Sequence, residues 1–233
     1  MDPFYVKTKD QEHIKQVFDE WGICIFPPGI FDISKMRSEA LNIMVNVENE
    51  NNGSYAAGYA TKVFTNSSLD RQITNYPEIC HFFDEPLFQS LFDSVTCGVG
   101  TFCEDVYMTK EIYSDERLAR NGYLHFDRNW GFKILVYLSD VEEGCGPFSV
   151  VPKTHLLGKS LRQLGWDKHK NFEMIPNRAD IDFPDVSHLL GNVQPIYGKA
   201  GTVVIFDTDI LHLGGVVELG KKRWIIRSHS RSW

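Results

Sequence analysis

The residues best suited to chemistry lie in Gly122-Tyr123-Leu124-His125-Phe126-Asp127-Arg128-Asn129-Trp130, which leads almost directly into the apolar run Phe132-Lys133-Ile134-Leu135-Val136-Tyr137-Leu138. Side chains alternate across an extended segment with a period of two, so His125 and Asp127 point to one side and can share an ion. No other histidine has Asp or Glu two residues on. His212 follows the apolar run Gly201-Thr202-Val203-Val204-Ile205-Phe206-Asp207 and precedes Gly214-Gly215, where backbone can pass close to a bound group. It is the candidate third ligand. Two histidines and one carboxylate with the opposite face open form the facial donor set of non-haem Fe(II) sites. With a water, the same three ligands also describe catalytic zinc. On its own, His125-x-Asp127 reads equally well as a surface histidine beside a turn-forming Asp.

Arg223 lies 223 − 212 = 11 positions beyond His212 and opens the strand-like run Arg223-Trp224-Ile225-Ile226-Arg227. A guanidinium fork grips both oxygens of a carboxylate in one plane and keeps its charge when desolvated. Such a clamp suits a dicarboxylate cosubstrate.

Elements able to position these residues follow from periodicity. Ile14, Val17, Phe18 and Trp21 recur at helical spacing over Lys9–Trp21, and Gly22 stops that helix. Ile23–Phe26 reads as a short buried strand ended by Pro27-Pro28-Gly29, with a second helix from near Asp32 or Ser34 to about Val47. Residues 48–75 read as a long polar loop whose one apolar part is Tyr55–Tyr59, and a further helix is expected from about Pro77 to Val95. After Thr101 the signals turn to strands: Val106–Thr109, the 132–138 run, Phe148–Val151 after the turn Gly144–Pro147, Gln194–Tyr197, Thr202–Phe206 and Trp224–Ser228. Helices followed by many short strands predict an α+β chain: a double-stranded β-helix, the cupin-like jelly roll, with flanking amino-terminal helices. We expect one domain over 1–233, with residues 1–100 mainly helical and 101–233 forming the jelly roll. An insertion near 156–193 reads as a lid or a solvated loop.

The chain has 42% apolar and 13% aromatic residues and a formal net charge of −7, a composition unlike that of disordered or strongly basic proteins. Nothing in it favours nucleic acid as a partner, and no apolar run reaches membrane-spanning length. Cys24, Cys80, Cys97, Cys103 and Cys145 are odd in number and form no CxxC pair, which suits reduced thiols; the start of the sequence shows no signal-peptide pattern. The expectation is a cytoplasmic protein, monomeric or a small homo-oligomer, acting on a small molecule.

His125-x-Asp127, the distal His212 and Arg223 together resemble the Fe(II)/2-oxoglutarate-dependent dioxygenases of the phytanoyl-CoA dioxygenase family. The strand-turn-strand from Val136 through Gly146-Pro147 to Val151-Pro152-Lys153-Thr154-His155 is similar to that family's signature, with Lys153 where the family tends to have Gly. The resemblance covers about residues 120–230 firmly and the amino-terminal helices loosely. It implies that His125, Asp127 and His212 bind Fe(II), that Arg223 pairs with the distal carboxylate of 2-oxoglutarate, and that O2 is the cosubstrate. Hydroxylation of an unactivated C–H bond with release of succinate and CO2 follows. Because Asp127 is a carboxylate, where related halogenases carry a small residue, hydroxylation is favoured over halogenation.

Further candidates rest on shared strand faces. Lys133 and Tyr137, after the motif, and Thr109 and Tyr107, before it, could touch the cosubstrate; a snorkelling Lys and a core Tyr read the same way. Asn129 and Trp130 are placed to line a substrate pocket, and Arg227 could meet a substrate anion or simply be solvated. His155 and His229 read as structural or exposed. Two other readings use the same triad: a non-catalytic cupin-like metal-binding module, which has no need of Arg223, and a zinc hydrolase, for which no His-Glu-x-x-His motif is present.

Overall fold

Strand β5 (Phe132–Tyr137) is covered on both faces, and that is why it reads in the sequence as an almost unbroken apolar run. On one side the Phe132 ring meets Phe18 of helix α1 (Gln11–Trp21) at 5.6 Å and Phe92 of helix α4 (Pro86–Thr96) at 5.8 Å between centroids. On the other, Lys133 and Leu135 face a cavity inside the fold. The structure is a computed structural model that describes residues 2–50, 53–55, 58–65, 76–114, 122–179 and 181–231.

Around β5 the described residues build an antiparallel sheet of seven strands. From one edge they run β1 (Ile23–Phe26), β8 (Val203–Asp207), β5, β10 (Lys222–Arg231), β4 (Thr101–Ile112), β3 (Gly58–Thr65) and β2 (Ser54–Tyr55). A smaller sheet of β7 (Gln194–Pro195), β6 (Phe148–Val151) and β9 (Leu211–Gly214) faces it. Two sheets of this order enclosing a cavity are the expected jelly roll. Register puts Arg223 opposite Glu111, and Lys133 opposite both His229 and Phe206, so charged and imidazole side chains from three strands share the inner face with the Phe206 ring of a fourth.

The helices cover the outer face of the large sheet. Asp10 caps α1 by accepting from the His13 amide at 2.7 Å, and Gly22 ends the helix at φ 71°. Helix α2 (Ser34–Asn49) buries Met36, Ala40, Met44 and Val47, the apolar stripe seen in the sequence.

Three expectations change. The helix expected over 77–95 is two, α3 (Pro77–Phe83) and α4, because Pro86 cannot sit inside a helix and instead starts the second. The polar stretch 48–75 contains β2 and β3, which extend the sheet edge; residues 51–52, 56–57 and 66–75 lie outside the described set. The insertion holds a 15-residue helix, α5 (His155–His169), with 3-10 turns at Phe172–Met174 and Pro184–Asn192. Gly158 and Gly165 weaken its helical signal, yet both are packing requirements. A Cβ at Gly158 would stand 1.8 Å from the Asp209 carbonyl oxygen, and one at Gly165 2.6 Å from Ile175 Cγ2.

Lys153, at the position where the family tends to have Gly, adopts φ 67°. A left-handed conformation costs an ordinary residue about 1–2 kcal/mol. Here the ammonium lies 3.9 Å from the Trp21 ring centre and 2.7 Å from Glu20, contacts that help offset the strain.

Candidate metal centre

The triad is assembled by strand pairing. The segment around His125 runs beside β9, with His125 N–H donating to the His212 carbonyl at 2.9 Å and His212 N–H returning to the His125 carbonyl at 2.8 Å. Directly paired residues present their side chains on one face, and Asp127 follows on that face two positions later. Its own amide donates to the Thr208 carbonyl at 2.9 Å. Asp127 Oδ1 comes within 3.9 Å of His125 Nε2 and 3.6 Å of His212 Nε2, and the three donor atoms all lie within 4.8 Å of one another. That is about twice a metal–ligand bond of roughly 2.0–2.2 Å, so one ion between them is within reach of all three.

Each imidazole is oriented from behind. Nδ1 of His125 meets the Tyr123 carbonyl at 2.6 Å and Nδ1 of His212 meets the Ile210 carbonyl at 2.7 Å. A proton on each Nδ1 donates to its carbonyl and leaves the Nε2 lone pair aimed at the centre, as in histidine metal ligation. Burial pushes His125 down, and burial followed by the His125 charge pushes His212 down to about 3, so both rings are neutral near pH 7.

Burial works against the charge of Asp127, but Lys133 and then His212 outweigh it and hold its carboxyl well below the usual range. Lys133 Nζ donates to Oδ2 at 2.5 Å, leaving Oδ1 toward the histidines. Lys133, a candidate for the cosubstrate, pairs with a metal-ligand candidate and also borders a cavity inside the fold.

The strap carrying His212 is braced by the strand-turn-strand motif. Thr154 Oγ1 donates to the Val151 carbonyl at 2.6 Å and accepts from the Leu211 amide at 2.9 Å, one residue before His212. Two residues further back, fully buried Asp209 accepts both arms of Arg162, at 2.6 and 2.9 Å from α5. The insertion therefore anchors the centre as well as lying near it.

Two cavities meet at the triad. The inner one, about 230 Å³, is lined by Glu111, Leu135, Phe148, Phe206, Arg223 and Arg227. The outer one, about 540 Å³, is lined by Arg128, Asn129, Trp130, Asn177, Arg178 and Arg231. His125, Asp127, Lys133 and His229 border both. Arg223 is 4% exposed in the lining of the inner cavity, where its Nη2 donates to Glu111 and its Nη1 to the Gly146 carbonyl.

The sequence of 18–218 matches the family model described as phytanoyl-CoA dioxygenase. The chain belongs to that family. No curated protein matches the sequence. Among solved structures, the non-haem α-ketoglutarate-dependent epimerase SnoN from nogalamycin biosynthesis is similar at 14% identity and a TM-score of 0.58, covering 95% of this chain and 82% of that one. AviO1 from Streptomyces viridochromogenes Tue57 aligns at 18% identity and 0.58, covering 97% of both chains. HygX from Streptomyces hygroscopicus, solved with nickel and 2-oxoglutarate bound, aligns at 15% and 0.57, covering 97% and 87%. These likenesses are of fold.

Within this phytanoyl-CoA dioxygenase family member, the remaining candidates separate. Asn129 and Trp130 border the outer cavity and Arg227 the inner one, its Nε 3.2 Å from His229 Nε2. Tyr137 is fully buried and donates to the Ile196 carbonyl at 2.7 Å, lining neither cavity. The Tyr107 ring lies 5.1 Å from that of His229 at a tilt of 42°, and Thr109 is buried with no hydrogen-bond partner for its hydroxyl among the described residues. His229, read as structural or exposed, borders both cavities and is held neutral by burial and by Lys133. Glu111, Asn177, Arg178 and Arg231 had no signal in the sequence, since what places them is register or loop path rather than a motif.

Among the described residues no helix is long and apolar enough to cross a membrane.

Proposed function

We propose that this protein is a non-haem Fe(II) oxygenase that uses 2-oxoglutarate and O2 to hydroxylate an unactivated C–H bond of a small molecule, releasing succinate and CO2, and that 1–233 works as a single domain. The observation that carries the reading is the convergence of His125, Asp127 and His212 where two cavities meet. A triad leaves one face for other ligands, and here that face has one chamber for a cosubstrate and another for a substrate. When bound, iron with 2-oxoglutarate and O2 supplies the oxidising power that no side chain has.

The chain's own residues do the positioning. His125 and His212 give Nε2, fixed by their carbonyl contacts; Asp127 gives Oδ1 while Lys133 holds Oδ2. Arg223, buried in the lining of the inner cavity, takes the distal carboxylate of 2-oxoglutarate, with Glu111 sharing its guanidinium. Phe148 and Phe206 pack on each other at 4.6 Å and on His212, keeping water from the inner chamber. Trp130 and Asn129 border the substrate.

Labelling tests the reaction type. With 18O2 and a turned-over substrate, one labelled oxygen is expected in the product and one in succinate; an epimerised or ring-closed product without label would replace hydroxylation by another oxidation on the same centre. The Glu111 contact favours a second reading, a cupin-like metal-binding module in which Arg223 serves structure. Under it, 2-oxoglutarate affinity would be unchanged in Arg223→Ala.

A further inference from the structure

Between Asp127 and β5 the chain follows no regular element, yet it carries a metal-ligand candidate at one end and Arg128, Asn129 and Trp130 in the wall of the outer cavity. An irregular segment takes its course from a few contacts. Arg128 supplies one, its Nε donating to the Ile175 carbonyl at 2.8 Å. Three others converge on a single residue, Thr208, in the turn between β8 and β9.

Thr208 is fully buried and is not part of the lining of either cavity. Its carbonyl accepts from the Asp127 amide at 2.9 Å, its own amide donates to the Gly131 carbonyl at 3.0 Å, and its hydroxyl oxygen accepts from the Gly131 amide at 2.6 Å. One residue therefore holds both ends of the segment. The first two contacts belong to the Thr208 backbone and survive a change of side chain, whereas the third is the hydroxyl's alone. Without it the buried Gly131 amide loses its partner, which is costly for a donor cut off from water. Little room exists for the backbone to shift instead. A Cβ at Gly131 would stand 3.1 Å from the Ser230 carbonyl oxygen and 3.5 Å from Thr208 Oγ1, so the chain passes closely between the turn and β10. Trp130, the residue before, packs partly against the main core and also borders the outer cavity.

We propose, resting on the reading of the outer cavity as the substrate chamber, that Thr208 is a positioning residue for the substrate: its hydroxyl, through the Gly131 amide, keeps Trp130 in place as a wall of that chamber, while its backbone keeps Asp127 at the metal centre. The two roles are separable. Removing the hydroxyl should move the wall and leave the metal and cosubstrate sites in place.

Nuclear magnetic resonance of the 15N-labelled full chain tests this. The five tryptophans give five indole N–H signals, and Trp130→Phe shows which belongs to Trp130. Loading with Co(II), a paramagnetic ion stable in air, adds a shift to that signal that depends on where the ring stands relative to the metal. In Thr208→Val, which keeps the branched shape and drops the hydroxyl, the metal-induced shift of Trp130 is expected to change and the Gly131 amide to exchange at least about 10-fold faster, the scale for losing a hydrogen-bond partner in a buried site. Thr208→Ser, which keeps the hydroxyl, should restore most of both, and Co(II) affinity should be nearly unchanged in either variant. With a turned-over substrate, Thr208→Val should raise its KM several-fold and leave that of 2-oxoglutarate unaltered. An unmoved Trp130 signal in Thr208→Val, a serine variant that behaves like the valine one, or equal rises in both KM values overturns the proposal. Should the valine variant not fold, hydrogen exchange in the unmodified protein decides: a slowly exchanging Gly131 amide is expected, and one exchanging as fast as an open amide overturns the proposal. Failure of the oxygenase reading would show separately, as no visible band when 2-oxoglutarate is added to the Fe(II)-loaded protein.

Discussion

The two chambers that share Asp127 differ in what builds them. The inner one is made mostly of strand residues facing inward from β4, β5, β6, β8, β9 and β10, whose neighbours are fixed by register: Arg223 opposite Glu111, Lys133 opposite Phe206 and His229. The outer one is made mostly of residues on connections, Arg128 to Trp130 after the motif and Asn177 and Arg178 beyond α5. Strands over-determine a side chain's direction, and loops leave it to a few contacts such as Arg128 on Ile175 or Asn177 on the Phe126 carbonyl at 2.7 Å. A chemistry common to a family fits the first kind of wall, and a choice of substrate fits the second.

That contrast can be broken most sharply at the centre itself. His212→Ala removes a ligand and should cost more than the 10- to 100-fold in metal affinity typical of losing a mere supporting residue; Fe(II) or Ni(II) titration checks it. Next, Arg223→Ala should leave metal affinity nearly unchanged while weakening 2-oxoglutarate by about 1.5–3 kcal/mol, the range for a hydrogen bond to a charged group and roughly 10- to 150-fold in Kd. An equal loss of metal binding would mean that the inner chamber is not organised as described.

Gly158→Ala tests the brace from the outer side. Its Cβ meets the Asp209 carbonyl, so a loss of about 1–3 kcal/mol is expected, read as a Tm lowered by roughly 2–4 °C per kcal/mol. Glu111→Gln is a finer probe: removing the internal carboxylate that shares Arg223 should tighten 2-oxoglutarate a few-fold, whereas weaker binding would make Glu111 a support for the guanidinium.

The smallest effect is on pH. Asp127 must be ionised to bind metal, and Lys133 keeps its carboxyl low. In Lys133→Met that support is lost, the carboxyl pKa rises, and metal affinity should begin to fall at a higher pH than in the unmodified protein. An unshifted acid limb would separate Lys133 from Asp127.

How much could be read beforehand follows the same division. His125, Asp127, His212 and Arg223 were legible because strand periodicity and short spacing carry them. Lys133 was legible as a position but not as a partner, since its contact with Asp127 depends on the bend at Arg128 and Asn129 between the motif and β5. The strand β2 escaped because it is only two residues long at the sheet edge, β3 because its Tyr59, Val63 and Phe64 stand in an otherwise polar stretch that was read as a whole, and α5 because two of its residues are glycines kept for close packing. Arg178 and Asn177 reach the centre across about 50 residues of chain, a distance over which no local pattern speaks.

The central claim is that the triad and Arg223 form one site for iron and 2-oxoglutarate. It is tested most directly by titrating 2-oxoglutarate into the Fe(II)-loaded protein without oxygen and following the weak visible charge-transfer band of the chelated keto acid. The account predicts a saturable band that is lost in His212→Ala and needs far more 2-oxoglutarate in Arg223→Ala. Iron binding with no band at any concentration would contradict it.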